Sequence, residues 1–221
     1  MDHFFPDLYE RLGAISELRK RPFYSIEEIL LGALGMFLLK EGSRNALNNE
    51  RQERRFLKNY RKVFKVRLPH LDTVDAVLRL LAPEELEGLK ASLLSGLLAK
   101  KVFAQHRFLG KYYRIVVDGV HVLNVPAGHC PHCLHRTSKK GKVSCFHNVL
   151  EAKLVTENGF SISLESEWIE NPEGEYDKQD CERRAFERLA IKLKKRFARL
   201  PICIVADALY PYQTFFQICQ Q

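Results

Sequence analysis

The sequence predicts an α+β or α/β protein, with a helical amino-terminal domain over residues 1–105 and a mixed β-sheet with flanking helices over residues 106–221. Apolar residues recur at helical spacing in the first part, whereas β-branched runs separated by turn signals begin near Tyr112. A chain of 221 residues, 46% of them hydrophobic, is long enough to bury a core.

The amino-terminal helices are predicted from their start signals. Ser25 and Glu28 have the spacing of a capping box at the head of an almost wholly apolar helix. Asp72 or Thr73 is expected to cap a later helix, and Pro83 is suited to the first turn of the next one. These signals predict a domain without strands.

The stretch from Arg44 to Arg67 is predicted to be a basic helix, and the whole chain carries a formal charge of +8. Only Glu50 and Glu53 offset the positive charge near its centre, so the helix suits the phosphates of DNA. The alternative is an ordinary solvated face. The candidate nucleic-acid contacts are Arg51, Arg54, Arg55, Lys58, Arg61 and Lys62.

Targeting signals are not evident in the sequence. The start lacks the basic and apolar regions of a secretory signal, and the apolar run from Ile29 is too short to span a bilayer. We therefore expect a cytoplasmic protein, associated with the nucleoid when bound to DNA, and no membrane partner.

The second domain is predicted to contain, in order, a strand, a hairpin, a helix, a strand and a helix. A strand is predicted to end at Asp118, and Glu157-Asn158-Gly159 to form a hairpin turn. A long charged helix is predicted from Asp177 or Lys178 to Arg199. A second apolar strand then ends at Asp207, before a last helix that opens at Pro211-Tyr212.

Two aspartates thus follow buried strands that are far apart in the sequence, Asp118 and Asp207. If the strands are neighbours, the two carboxylates converge and repel each other unless a divalent cation lies between them. The pair therefore predicts a catalytic site that holds Mg²⁺ or Mn²⁺. Taken singly, Asp118 could cap a turn at Gly119, and Asp207 could N-cap a helix.

A cysteine- and histidine-rich insertion at residues 129–147 contains a C-x2-C knuckle followed by C-x-H. Its spacing offers four ligands for a small structural zinc loop, with the two knuckle thiols as the most secure. The alternative is a polar insertion without metal. The candidate zinc ligands are Cys130, Cys133, Cys145 and His147.

The remaining cysteines and the single tryptophan are assigned structural positions. Trp168 is expected to be a core or capping residue. Cys181, Cys203 and Cys219 are expected to be buried small apolar residues. The charged helix is predicted to bury a stripe of Cys181, Ala185, Leu189, Ile191 and Leu193.

Several segments together carry a family resemblance: VVDGVHV, the CPHC knuckle with a downstream FHN, SLESEWIEN, YDKQDCERRAFERL and IVADALYPY. With the helical front end, they resemble bacterial insertion-sequence transposases of the DDE class, which have a ribonuclease-H-like catalytic domain. The resemblance implies metal-dependent phosphoryl transfer on DNA at transposon ends. It assigns Asp118 and Asp207 to the first and second acidic residues of the motif.

One part of the family pattern has no counterpart. The third acidic residue is a glutamate well downstream of the second aspartate, and the sequence stops at Gln221. Glu165, Glu167 and Glu170 lie upstream of Asp207 and are not expected to replace it. We therefore expect an incomplete ribonuclease-H-like sheet, an inactive transposase and an open sheet edge that favours a homo-oligomer.

Two other functions remain open at this stage. One is a non-catalytic DNA-binding protein that uses the basic helix and a zinc loop. The other is an unrelated metal-dependent nuclease that has two aspartates on neighbouring strands.

Overall fold

The computed structural model describes residues 4–125, 130–175 and 177–220. The chain divides into two compact units, Met1–Leu93 and Leu94–Gln221. The described residues form helices and a five-stranded mixed sheet, which confirms a mixed helix-and-sheet fold. Within those residues, no helix has the length and apolar character needed to cross a bilayer.

Helices make up the amino-terminal unit, and described residues up to 105 contain no strand. Its core is formed by apolar residues of every helix except the last, together with Leu68 and Leu81 from the connecting segments. The helices are α1 (Leu8–Gly13), α2 (Ile26–Leu38), α3 (Arg44–Glu50), α4 (Arg54–Phe64), α5 (Leu71–Leu78) and α6 (Pro83–Ala99).

Helix α2 lies at the centre of this core and begins with the predicted capping box. The Ser25 hydroxyl accepts from the Glu28 N–H at 3.4 Å, and the Glu28 carboxylate accepts from the Ser25 N–H at 3.1 Å. Its glycines permit close packing, because a Cβ at Gly35 would lie 3.3 Å from the Tyr60 ring.

Two predictions for this unit were wrong in detail. The basic stretch is two helices, because the chain turns after α3, where the N–H groups of Gln52 and Glu53 bond to carbonyls three residues back. Helix α5 is capped by His70, whose Nδ1 accepts from the Asp72 N–H at 3.3 Å. Buried Leu71 fixes this earlier start.

The second unit contains one sheet, in which β3 pairs with β1 on one side and with β2 and β4 on the other. These pairings are antiparallel, whereas β5 is parallel to β1 and lies at its outer edge. The strands are β1 (Tyr113–Val125), β2 (Leu134–Thr137), β3 (Val143–Val155), β4 (Ser161–Ile169) and β5 (Ile202–Val205).

Two helices accompany the sheet, α7 (Glu182–Arg196) and α8 (Gln213–Cys219). Helix α7 packs on β3 and β4, burying Ala185, Phe186, Leu189 and Leu193. The predicted start at residues 177–178 was wrong, because side chains at 179 and 180 bond to other segments instead of continuing the helix. Ile191 was also wrongly assigned to the buried stripe, since it is 69% exposed.

The expectations for the isolated cysteines and the tryptophan also need correction. Cys181 and Cys219 are exposed, and Cys203 is only partly buried. Cys181 is the residue before α7, and Cys219 ends α8 at the surface. Trp168 is 41% exposed and lies edge-on to His147 with 6.1 Å between ring centroids, so it is not a core residue.

Candidate functional site

Asp118 lies within a strand, not at its end as predicted. Strand β1 continues to Val125 because its pairing with β3 continues there, opposite Cys145. Strand β5, in contrast, leaves β1 after Val116. Asp118 is therefore exposed at the point where one edge of β1 becomes open, and no turn follows it for the carboxylate to cap.

Asp207 follows β5 by two residues and is also exposed. Its Oδ1 accepts from the Leu209 N–H at 2.8 Å, which fixes the turn that leaves the strand. It does not cap α8, because that helix begins at Gln213 after Tyr212. The helix-capping alternative for Asp207 is thereby excluded.

The parallel pairing of β1 and β5 brings these two aspartates to the same region. The register sets Val116 opposite Val205. The pairing ends there, so Asp118 and Asp207 each follow the last paired residue of their strand by two positions.

Tyr210 lies within electrostatic range of three acidic side chains. Burial raises the pKa of its phenol, and the charges of Glu182, Asp207 and Asp118 raise that pKa further. The ring is 1% exposed and packs against Phe186. The Tyr210 hydroxyl donates to Glu182 Oε2 at 3.0 Å.

Glu182 is a residue that the sequence analysis missed. It opens α7, and its carboxylate covers Gly119, where a Cβ would lie 2.7 Å from Glu182 Cδ. Successive residues of a strand face opposite sides, so Glu182 approaches β1 from the side opposite to the Asp118 side chain. The two carboxylates can meet only around the open edge beyond Val205. The predicted helix began too early, so Glu182 was not recognised as the first residue of α7.

The glutamates of β4 have other roles. Arg196 Nε lies 3.0 Å from Glu165, which is fully buried, and Arg188 Nε lies 2.6 Å from Glu167. These ion pairs hold α7 against the sheet.

A second cluster, of candidate metal ligands, lies next to the paired strands β2 and β3. Among the described residues, Cys130, Cys133 and His147 are the one group of three candidate ligands whose atoms all lie within 4.8 Å of one another. The Cys133 Sγ is 3.4 Å from His147 Nε2. This cluster could hold a metal ion, whereas the described carboxylates form no such group.

The predicted fourth ligand, Cys145, is not in that group. It is buried near Cys133. Burial raises the pKa of the Cys133 thiol, and the neighbouring Cys130 and Cys145 raise that pKa further. His129, at the start of the predicted insertion, lies outside the described residues.

The basic residues of the amino-terminal unit form part of a groove of about 490 Å³. Arg51, Lys58 and Arg61 line it. Arg67 also lines it, with its guanidinium carbon 5.0 Å from the centre of the Phe23 ring. The other candidates, Arg54, Arg55 and Lys62, are exposed on α4 and do not line the groove.

Comparison of the chain with protein-family models and with curated proteins found no match. The functional assignment therefore rests on the residues and their geometry.

Proposed function

We propose that this protein is of the DDE-transposase type, a class that transfers phosphoryl groups on DNA with Mg²⁺ or Mn²⁺, and that the chain described is itself catalytically inactive. The observation that carries the proposal is the parallel pairing of β1 and β5, which ends at Val116 and Val205, two residues before Asp118 and Asp207. The order of a strand, an antiparallel hairpin, a helix and a parallel strand supports an incomplete ribonuclease-H-like sheet as the scaffold.

The chemistry of the edge fits a hard divalent cation. Asp118 and Asp207 are exposed carboxylates, and carboxylate oxygen is the ligand that Mg²⁺ prefers. When bound there, the ion would polarise a phosphate and activate the attacking oxygen. The two aspartates would hold that ion, and their exposure leaves room for a DNA strand beside them.

The groove of the amino-terminal unit supports DNA as the partner. Lys58 and Arg61 are exposed, and none of the described residues that line the groove with them is acidic. Phosphate contacts of this kind position DNA but do not read its sequence. The transposon ends would therefore be recognised by other contacts.

Calorimetry with Mg²⁺ and Mn²⁺ tests the acidic site. The wild-type chain should bind the ion, and Asp118→Ala and Asp207→Ala should each abolish or strongly reduce the heat. Glu170→Ala is a matched control, because its carboxylate follows β4 instead of the β1–β5 edge. Equal heats in all four proteins would remove the metal site and the proposal with it.

Cleavage of supercoiled plasmid with Mn²⁺ tests catalytic competence. We expect background cleavage, since the described residues bring no third carboxylate into a group with Asp118 and Asp207, and losing one member of a catalytic unit removes most of the rate. Turnover that both Asp207→Ala and Glu182→Ala abolish would contradict this expectation and identify Glu182 as the missing carboxylate.

A non-catalytic DNA-binding protein is the second candidate function, and the basic groove favours it. Lys58→Glu/Arg61→Glu should reduce the slope of log affinity against log salt by roughly 2, because each phosphate contact contributes about 0.9. The matched control is Lys139→Glu/Lys140→Glu, which changes two exposed lysines in the β2–β3 turn. Equal slopes in both variants would exclude the groove as the DNA contact.

For the cysteine and histidine cluster we propose Zn²⁺ as the metal ion. Thiolate and imidazole ligands suit zinc, whereas Mg²⁺ takes oxygen ligands. This ion would have no part in the phosphoryl transfer, because its ligands lie on other segments than Asp118 and Asp207.

A further inference from the structure

The Cys/His cluster joins two separate segments of the chain. Cys130 and Cys133 belong to the turn before β2, and His147 lies on β3. Their ligand atoms lie within 4.8 Å of one another. We propose that Cys130, Cys133, Cys145 and His147 hold one structural zinc ion, and that this ion fixes the segment leading into α7.

The strand geometry identifies the fourth ligand. Cys145 and His147 are alternate residues of β3, and pairing with β1 is regular across them, opposite Val125 and Leu123. Alternate residues of a strand face the same side, so the Cys145 thiol shares a face with the His147 ring. The charge of Cys145 also acts on the buried Cys133 thiol, which places the two cysteines near each other.

The resulting set of three thiolates and one imidazole is a common structural zinc site. Cys133 and Cys145 are buried, at 6% and 8% exposed, and Trp168 lies edge-on to the His147 ring, which suits a structural ion. A catalytic zinc, in contrast, keeps an open position for water or substrate.

Hydrogen bonds connect the knuckle to a distant loop through Asn171, a fully buried residue. Its backbone N–H donates to the His132 carbonyl at 3.0 Å, and its Nδ2 donates to the Cys133 carbonyl at 2.8 Å. Its Oδ1 accepts from the Asp180 N–H at 3.0 Å, directly before α7 begins.

Gln179 adds a second connection between the same segments. Its side chain accepts from the His135 N–H at 2.7 Å and donates to the His135 carbonyl at 2.8 Å, as a neighbouring strand would. The knuckle therefore holds Asp180 through the Asn171 side chain, and the β2 backbone holds the Gln179 side chain. A metal ion that orders the knuckle would also order the start of α7, where Glu182 lies.

Metal content and cobalt substitution test the ligand set. Protein purified without chelator should contain about one zinc per chain, and less than about a tenth of an equivalent would overturn the proposal. Co²⁺ in the site should show the visible bands of tetrahedral coordination and a thiolate charge-transfer band. Cys145→Ser should weaken that band by about a third, because three thiolates become two.

Cys219→Ser is the matched control, since this cysteine is exposed at the end of α8. Its cobalt spectrum should equal that of the wild-type chain. An unchanged charge-transfer band in Cys145→Ser would show that Cys145 is not a ligand.

Hydrogen exchange of the wild-type chain tests the proposed role without any variant. Removing the zinc should accelerate exchange in residues 130–147 and also in residues 169–181, including the amides of Asn171 and Asp180. Helix α2 serves as an internal reference. Unchanged exchange in residues 169–181 would overturn the role proposed for the ion, whether or not the acidic site binds Mg²⁺.

Discussion

Glu28→Gln should destabilise the amino-terminal unit, because Glu28 is a carboxylate that is 7% exposed at the head of α2. It accepts from the Ser25 N–H and from three N–H groups of Arg67, at distances between 2.7 and 3.1 Å. Glutamine keeps an oxygen that can accept the capping bond but removes the charge that attracts the guanidinium.

The expected loss follows from these bonds. A hydrogen bond to a charged group contributes about 1.5–3 kcal/mol, and solvent weakens this pair because the Arg67 side chain is 42% exposed. We therefore expect Glu28→Gln to lower the free energy of unfolding by about 1.5–3 kcal/mol. Glu28→Ala should lower the free energy of unfolding by about 1 kcal/mol more than Glu28→Gln, because it also removes half of the capping box.

The pH dependence has a definite sign. Burial raises the pKa of Glu28, but the hydrogen bonds from Arg67 and Ser25 outweigh it, so the pKa lies below its usual value. A lowered pKa means that the stabilisation is complete above the unfolded-state pKa, near 4.3, and is lost as the pH falls through the folded-state value. The difference between wild type and Glu28→Gln should therefore shrink in acid.

Urea denaturation followed by circular dichroism, at pH 7 and in acid, measures both effects. Glu27→Gln is the matched control on the same helical turn, and it should change the free energy of unfolding by less than about 0.5 kcal/mol. Equal losses in the two variants, or a Glu28→Gln loss that persists undiminished in acid, would refute the reasoning.

Three further predictions concern the second unit. Gly119→Ala should lower the free energy of unfolding by about 1–3 kcal/mol, because its Cβ would meet the Glu182 carboxylate. Adding Glu182→Ala should recover part of that loss, and strictly additive effects of the two substitutions would contradict the contact. Leu150→Ala should lower the free energy of unfolding, measured by urea denaturation, by about 2–5 kcal/mol, since Leu150 is fully buried on β3. Leu38→Ala, at the surface, should change that free energy little. Asn171→Ala should weaken zinc retention about 10- to 100-fold in a chelator competition, and equal retention would show that the knuckle is ordered without Asn171.

Local signals in the sequence were sufficient where neighbouring residues set the structure. The capping box of Ser25 and Glu28 and the first-turn Pro83 start helices where predicted, because both act within one turn. The C-x2-C spacing likewise brings Cys130 and Cys133 together within a single turn of chain.

Boundaries that depend on distant partners were predicted wrongly. The helix α7 starts late because Asp180 bonds to Asn171 and Arg188, and β1 continues past Asp118 because β3 is long enough to pair with it. Neither partner is visible from the local pattern of hydrophobic and polar residues. The position of Glu182 was missed for the same reason.

The sequence by itself determined the candidate side chains: the two aspartates after apolar runs, the cysteines and histidines of the knuckle, and the basic residues near α4. Only the tertiary structure decided their grouping, since the parallel pairing of β1 with β5 joins residues about ninety positions apart. The physical reason is that side-chain identity fixes charge and ligand type, whereas distance between remote residues depends on strand register and packing.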